Sequence, residues 1–198
     1  MDGERATPSA RQADLLEAAY RYACTHGLAD LSLRPLAAAI GSSPRVLLYL
    51  FGSKDGLIRA LLARARVAEL DMLRGLRQEA NDTDDTGAGR LAEVAGAVWS
   101  WLSAPEHRAL LTLWVEGYAR SLVDRTGPWA GFARATVDDW LAVLGDAQPP
   151  RRRDTAAGVA QRTAVLAVLR GALLDLLATG DVERTTAAVR HRIAELTA

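Results

Sequence analysis

The chain has 198 residues, of which 49% are hydrophobic and 24% are charged, so it can bury a well-packed core as one unit or as a small domain joined to a larger one. Its formal net charge is zero, so the composition lacks the basic excess that would directly indicate nucleic-acid binding. The single cysteine, Cys24, excludes an intramolecular disulfide and a thiolate metal cluster, and it is consistent with a reducing cytoplasm. We expect no secretory leader in the polar N-terminus and no membrane-spanning helix, because charges interrupt every apolar segment well short of about 18 residues.

The N-terminal part of the chain predicts a series of helices. Residues 1–10 are polar, and we expect them to form a disordered arm. An apolar pattern at helical spacing predicts a helix at about 10–26. The stretch SLRPLAAAIGSSPRVLLYLFGSKDGL, residues 32–57, predicts two short helices at about 32–40 and 44–50. These two helices meet at a tight turn, and a further helix begins directly after them.

The turn chemistry of this stretch supports that prediction. Ser32 is expected to cap the first short helix, and Gly41 is expected to end it in the left-handed conformation. Ser43 is expected to cap the second short helix, with Pro44 at its first position, where proline is favoured. The free backbone N–H groups make each helix start a potential phosphate-binding site.

The second short helix has two faces of different character. The apolar face consists of Val46, Leu47, Leu50 and Phe51, and the opposite face consists of Pro44, Arg45, Leu48 and Tyr49. If the apolar face is buried, the other face is free to enter a DNA major groove, as in a helix-turn-helix protein. We expect Arg45 to contact bases. Phosphate contacts are expected from Ser32, Tyr49 and Lys54. The alternative is a set of packed helices that does not contact DNA.

The rest of the chain is predicted to be helical, without a strand or an internal repeat. A long amphipathic helix at about 54–79 is expected to join the N-terminal helices to the body, with Arg59, Arg64 and Arg66 on its solvated face. Residues 81–89 form the clearest loop. Further helices are predicted at about 90–102, 105–124, 128–145 and 155–180, and from Asp181 onward.

Aromatic residues are concentrated in the middle of the chain. All five tryptophans lie between residues 99 and 140. Tryptophan offers a large apolar surface and one donor, which suits a ligand pocket. The predicted ligand-binding residues are Trp99, Trp114, Glu116, Tyr118, Trp129 and Trp140, with Glu116 facing a polar group of the ligand. The alternative is that the aromatic residues fill the core and that Glu116 is solvated.

The helix at about 155–180 is apolar around more than half of its circumference, so it needs partners on more than one side. One side can pack in the core of its own chain, and the other is expected to pack against a second subunit. The predicted dimer-interface residues are Leu166, Leu169, Leu173 and Leu177 on this helix, with Val189 and Ile193 on the last one. The alternative is a large core within a single chain.

Between Arg11 and Leu57 the sequence resembles the N-terminal domain of the tetracycline-repressor (TetR) family of bacterial transcription regulators. The family motif has a double alanine and a glycine in and after its first helix, and then a spaced series of apolar, small and charged positions. The matching residues here are Ala18-Ala19, Gly27, Ser32, Leu33, Leu36-Ala37, Ile40-Gly41, Leu47, Phe51, Ser53, Lys54, Asp55 and Leu57.

The sequence departs from the family motif in the second short helix. Leu48 occupies the usual tyrosine position, with Tyr49 one place later, and Leu50 replaces the usual histidine or tyrosine. Those side chains often contact the DNA backbone in the family. The departures therefore imply either an unusual operator or weaker binding, or a phosphate contact that Tyr49 makes from the neighbouring position.

The resemblance implies an all-α protein with a helix-turn-helix DNA-binding domain at residues 1–57 and a helical effector-binding and dimerisation domain at residues 58–198. It implies a ligand-responsive transcriptional regulator, a repressor that a small apolar effector releases from its operator. The expected partners are an inverted-repeat double-stranded DNA operator, the effector and a second copy of the chain, all in the cytoplasm. No catalytic residues, cofactor or metal are expected. The alternative is an all-helical small-molecule or lipid carrier whose N-terminal domain has lost DNA binding.

Overall fold

The structure is a computed structural model that describes residues 10–28, 30–81 and 89–197. Within these ranges the protein is built from α-helices and contains no strand, which confirms the all-α prediction. The predicted arm lies outside the described residues except for Ala10, and so does most of the predicted loop at 81–89. The helices are α1 (Ala10–His26), α2 (Leu33–Ala39), α3 (Pro44–Phe51), α4 (Lys54–Asn81), α5 (Arg90–Ser103), α6 (Arg108–Val123), α7 (Phe132–Asp146), α8 (Pro150–Arg153), α9 (Ala156–Thr179) and α10 (Val182–Thr197).

Some helix boundaries differ from the sequence prediction. The segment predicted as one helix from Pro105 begins with a short 3₁₀ turn, Pro105–His107, before α6. Helix α7 begins at Phe132 and not near residue 128, because Gly131 directly before it takes a left-handed φ of 78°. The predicted arginine-rich loop contains the four-residue helix α8, which has a proline at its first position.

Helix α4 joins the three N-terminal helices to the body. It packs against α1 and α3 on the N-terminal side and against α5, α6 and α7 in the body. Its residues Leu57, Ile58, Leu61 and Leu62 are buried, so its first turns are part of a core that includes both parts of the chain. The helix runs without a break through residues 57–58, where the sequence analysis divides the domains; that division stays a prediction.

Helix α9 lies at the centre of the body, in contact with α5, α6, α7 and α10. The structure buries five of the predicted dimer-interface residues, Leu166, Leu169, Leu173, Val189 and Ile193, in the core of the single chain, while Leu177 is half-buried. The prediction that these five residues form the dimer interface is therefore wrong, because helices of their own chain already cover their side chains. None of the helices in the described ranges combines the length and apolar character needed to cross a membrane.

Candidate nucleic-acid interface and internal cavity

The turn between α2 and α3 is built by glycine, serine and proline. Gly41 takes a left-handed φ of 65°, which a residue with a Cβ atom rarely adopts. The Oγ atom of Ser43 accepts a hydrogen bond of 3.3 Å from the backbone N–H of Val46, and Pro44 occupies the first position of α3. The predicted cap of α3 thus matches the geometry. Ser32 is at the cap position of α2, but its side chain makes no capping bond and is exposed.

Helix α3 is anchored on one side and free on the other. Leu47 is 1% exposed, and the Nε2 atom of Gln12 in α1 donates a hydrogen bond of 3.0 Å to the carbonyl oxygen of Leu50. On the outer side Tyr49 is 86% exposed and Leu48 is 42% exposed. Arg45 is also exposed there. The helix therefore presents one arginine, one tyrosine and one leucine on a surface that no described helix covers.

The other predicted DNA-binding residues lie around this surface. Lys54, the first residue of α4, is exposed, whereas Ser43 and Pro44 at the start of α3 are half-buried. Arg34, in the first turn of α2, is exposed as well. Arg34 is not among the predicted DNA-binding residues, although its place one residue after the start of a short helix could be read from the same capping pattern.

The body contains a cavity of about 30 Å³ between α4, α5, α6, α7 and α9. This space is an order of magnitude smaller than a typical ligand pocket of about 300–1,000 Å³, so a ligand of several atoms has to move its walls apart. The walls are mostly apolar and include three tryptophans. The lining residues are Ala65, Glu69, Met72, Trp101, Leu102, Leu110, Leu111, Trp114, Trp140, Leu166, Leu169, Arg170 and Leu173.

A carboxylate, that of Glu69 on α4, lies in this apolar wall. Glu69 is only 4% exposed. The Nε1–H group of Trp140 donates a short hydrogen bond to Oε1, and Oε2 has no hydrogen-bond partner. Burial raises the pKa of Glu69 from 4.5 to about 7; the indole N–H groups of Trp140 and Trp114 oppose that rise because they favour the charged form. Near neutral pH this group therefore exists in both protonation states.

A guanidinium, that of Arg170 on α9, lies in the cavity wall as well. Its Cζ atom is 5.0 Å from the centre of the Tyr118 ring, which is a cation–π distance. Its Nε and Nη2 atoms are buried and have no hydrogen-bond partner. Buried donors without partners destabilise a fold by roughly 1–3 kcal/mol each. The cavity therefore carries one acidic and one basic group whose hydrogen-bonding capacity is not filled.

The structure places only some of the predicted ligand-binding residues at the cavity. Trp114 and Trp140 line the cavity, and Tyr118 stacks on Trp114 with a ring separation of 5.5 Å. Trp99 lies elsewhere and donates a hydrogen bond of 2.9 Å from Nε1 to Oγ1 of Thr186 in α10. Trp129 is buried outside the cavity wall.

Glu116 is placed away from the cavity, at the junction with the N-terminal helices. Its Oε2 atom accepts a hydrogen bond of 2.8 Å from the backbone N–H of Leu28, just after α1. Gly27 has a left-handed φ of 78°, and a Cβ atom there would lie 3.2 Å from the same oxygen. The expectation that Glu116 meets a ligand is corrected: the side chain is the acceptor that holds the end of α1 against α6.

Two arginines of α4 also join helices to one another, contrary to the expectation that they are solvated. Arg64 donates from Nε to Oε2 of Glu17 in α1 at 2.8 Å, and its guanidinium lies 4.8 Å from the centre of the Tyr20 ring. Arg66 forms an ion pair of 2.8 Å with Asp139 in α7. Arg59 is exposed, as expected.

A helix-turn-helix unit with a free second helix, carried on a larger helical body that contains a cavity, defines the class of two-part helical regulators of transcription. Residues 15–61 match the family described as "Bacterial regulatory proteins, tetR family". The resemblance seen in the N-terminal sequence is therefore confirmed, and the chain has the fold of TetR-family transcription regulators. Among curated proteins, none matches the sequence.

Almost the whole chain is similar in fold to solved structures, among them a TetR transcription regulator. A TetR transcription regulator from Haloarcula marismortui ATCC 43049 gives a TM-score of 0.70 at 18% identity, over 94% of this chain and 96% of that one. The multidrug binding protein EbrR complexed with imidazole gives 0.65 at 24% identity, over 92% and 89%. The same protein complexed with proflavin gives 0.64 at 23% identity, over 94% and 99%. At these identities the similarity establishes the fold.

Proposed function

We propose that this protein is a ligand-responsive DNA-binding regulator in the cytoplasm, a repressor that an effector releases from its operator. The observation that carries the proposal is the free outer face of α3, on which Arg45 and Tyr49 project from a helix that is anchored on its other side. A helix of this size fits the major groove. Arg45 reads a guanine edge with two hydrogen bonds, and Leu48 packs against a thymine methyl group.

The positions around α3 supply the contacts that set its register on DNA. Lys54 and Tyr49 bind phosphates, and so do Ser32 and the start of α3 at Ser43 and Pro44. Leu48 and Leu50 depart from the family motif, and the 86% exposure of Tyr49 favours the interpretation that this tyrosine takes over the backbone contact.

The protein acts as a homodimer through the outer faces of α9 and α10. Several exposed positions of these faces are small or apolar, which permits close helix packing: Ala167, Gly171, Leu174, Ala187 and Ala188. Leu174, which is 47% exposed, is the largest apolar side chain among them. A symmetric dimer with two α3 helices favours an inverted-repeat operator with half-sites about one helical turn, roughly 34–36 Å, or a multiple apart.

The effector occupies the cavity and acts on the N-terminal helices through α4 and α6. EbrR, which shares the fold, has been solved in complex with imidazole and with proflavin, and this supports the binding of a small molecule by this fold. Because the cavity is small, a ligand has to displace its walls, among them Trp114 of α6 and Glu69 of α4. An effector lowers DNA affinity only if it binds better to the conformation unfit for DNA.

The test of DNA binding starts with genomic fragments captured by the protein and identified by sequencing. The enriched site is then titrated with the parent protein, with Arg45→Ala and with Arg134→Ala as a matched control. Arg134 has a side chain that is 87% exposed and lies on α7 in the body. We expect Arg45→Ala alone to weaken binding, by roughly 1–3 kcal/mol, and to relax sequence preference. Equal affinities of the two variants contradict the assignment of α3.

A second candidate function is a helical carrier of small molecules whose N-terminal domain does not bind DNA. The 42% exposure of Leu48 on the outer face of α3 favours it, because an apolar side chain binds phosphate poorly. If the protein enriches no genomic fragment but binds a ligand tightly in the cavity, the carrier function is supported and the regulator function is contradicted.

A further inference from the structure

The cavity wall contains a carboxylate oxygen that is ready to accept a hydrogen bond. Oε2 of Glu69 makes no hydrogen bond of normal geometry, although the residue is 4% exposed and its Oε1 is held by Trp140. The indole N–H of Trp114, which also makes no hydrogen bond of normal geometry, is near enough to the carboxylate to favour its charged form. A buried polar atom is usually paired with protein or water, and an unpaired one destabilises the fold. A ligand that carries a donor next to Oε2 removes this penalty on binding.

We propose that Glu69 recognises the charge of the effector, and that the effector is an apolar organic cation with a protonated nitrogen next to Oε2. The inference rests on the proposed effector function and specifies the chemical class that the cavity takes. The body of such a ligand packs among Trp101, Trp114 and Trp140, which line the same space. Indole rings attract cations through their faces, most strongly where water is excluded.

Arg170, the basic residue of the cavity wall, orients the bound ligand. Arg170 lies over Tyr118 at 5.0 Å and repels a cation from its own part of the cavity. The positive group of the ligand is therefore directed to Glu69, and the part of the ligand near Arg170 is neutral or bears an acceptor. The free Nε and Nη2 donors of Arg170 suit such an acceptor.

Binding of a cation is coupled to a proton. The pKa of Glu69 is raised to about 7 by burial and by Asp139 of α7, against the effect of Arg66 on α4. Arg170 of α9 lines the same cavity, and His107 stacks on Trp101 in its wall. A cation next to Glu69 favours the ionised carboxylate, so the ligand releases a proton below about pH 7 and binds more tightly as the pH rises towards that value.

The experiment compares amines with neutral molecules of the same shape. Benzylamine, 1-naphthylmethylamine and 1-pyrenylmethylamine form a size series, and each is paired with the alcohol of the same skeleton. Affinities for the full-length protein are measured by calorimetry at about pH 8, where Glu69 is ionised. We expect at least one amine to bind about 10- to 100-fold more tightly than its alcohol. If no amine in the series exceeds its alcohol, the proposal is overturned.

Two variants assign the effect to one side chain. Glu69→Gln keeps the shape and should remove the preference for the amine while leaving the affinity of the alcohol within about threefold. Arg170→Met, the matched control in the same wall, should keep or increase that preference. An amine preference that survives Glu69→Gln overturns the proposal. Thermal unfolding of each variant shows that it is folded.

Proton counting tests the parent protein without any substitution. Calorimetry at about pH 6 in two buffers of different ionisation enthalpy should show release of close to one proton for each amine bound, and none for the alcohol. Absence of proton release contradicts the pairing with Glu69. Operator titration with the bound amine then separates the two proposals. Glu69-dependent binding without a change in DNA affinity refutes the effector function alone, and release of DNA by alcohol and amine equally refutes the cation class alone.

Discussion

Replacement of Glu69 by glutamine should stabilise the protein at alkaline pH. The pKa of this carboxyl is about 7 in the folded state, against an ordinary value of 4.5. A pKa raised in the folded state means that folding favours the protonated form, so stability is fully present below about pH 4.5 and is lost as the pH rises to about 7. At about 1.4 kcal/mol for each pH unit, this loss amounts to roughly 3 kcal/mol. Glutamine cannot ionise and does not suffer it.

The measurement is urea unfolding of the parent and of Glu69→Gln at several pH values between about 4 and 8. The difference between the two proteins should change by roughly 3 kcal/mol in favour of the variant across this range, with most of the change between about pH 4.5 and 7. Glu106→Gln, at an exposed site on the same protein, controls for the removal of a carboxylate from the surface. If the difference in unfolding free energy between the parent and Glu69→Gln does not change with pH, the conclusion that the folded protein holds this carboxyl in an apolar site is refuted.

Three further substitutions test the surfaces and the junction. Lys54→Ala should weaken binding to all DNA sequences alike and lower the slope of log affinity against log salt by about one, as measured in a salt titration. Leu174→Arg should give monomers of unchanged helical content in sedimentation, because the side chain is 47% exposed in the single chain; a dimer of parental stability contradicts the proposed interface. Glu116→Ala should leave ligand affinity within about threefold but reduce the ligand's effect on operator affinity, which is typically about 1–3 kcal/mol; an unchanged effect excludes Glu116 from the coupling.

The N-terminal helices could be predicted in detail because their signals are local. A capping serine, a proline at the first helical position and a glycine after the last turn fix helix ends within a few residues of themselves. Ser43, Pro44 and Gly41 have these roles in the structure. Ser32 shows the limit of such signals, since its side chain is at the cap position without making the bond.

The lining of the cavity was harder to predict because residues that are adjacent in sequence lie on different faces of a helix. Trp114 and Tyr118 are four residues apart and share a face of α6, whereas Glu116 is two residues from each and points the other way. The acid that does face the cavity is Glu69. It follows Leu61 and Ala65 at intervals of four on the buried side of α4, and this spacing is the signal that could have identified it.

Helix α9 shows why the packing partners of an apolar helix cannot be predicted from its sequence alone. Its buried positions Leu166, Leu169 and Leu173 recur at helical spacing, and so do its outward positions Ala167, Gly171 and Leu174. The larger side chains are predicted to face a second subunit because the helix is apolar around more than half of its circumference. In the structure these larger side chains pack inside the chain, and the exposed face consists mostly of small residues. Sequence periodicity alone cannot decide which of the two faces is buried.

The junction between body and N-terminal helices determines what an effector can change. Arg64 of α4 donates a hydrogen bond to Glu17 of α1. Glu116 of α6 accepts a hydrogen bond from the backbone N–H of Leu28, just after the glycine that follows α1. Helix α1 in turn holds α3 through Gln12. We infer that displacement of α4 and α6 by a ligand moves α1 and α3 together and leaves the turn between α2 and α3 intact. In the proposed dimer, release from DNA would then result from a changed distance between the two α3 helices, and each of them would remain able to bind a single half-site.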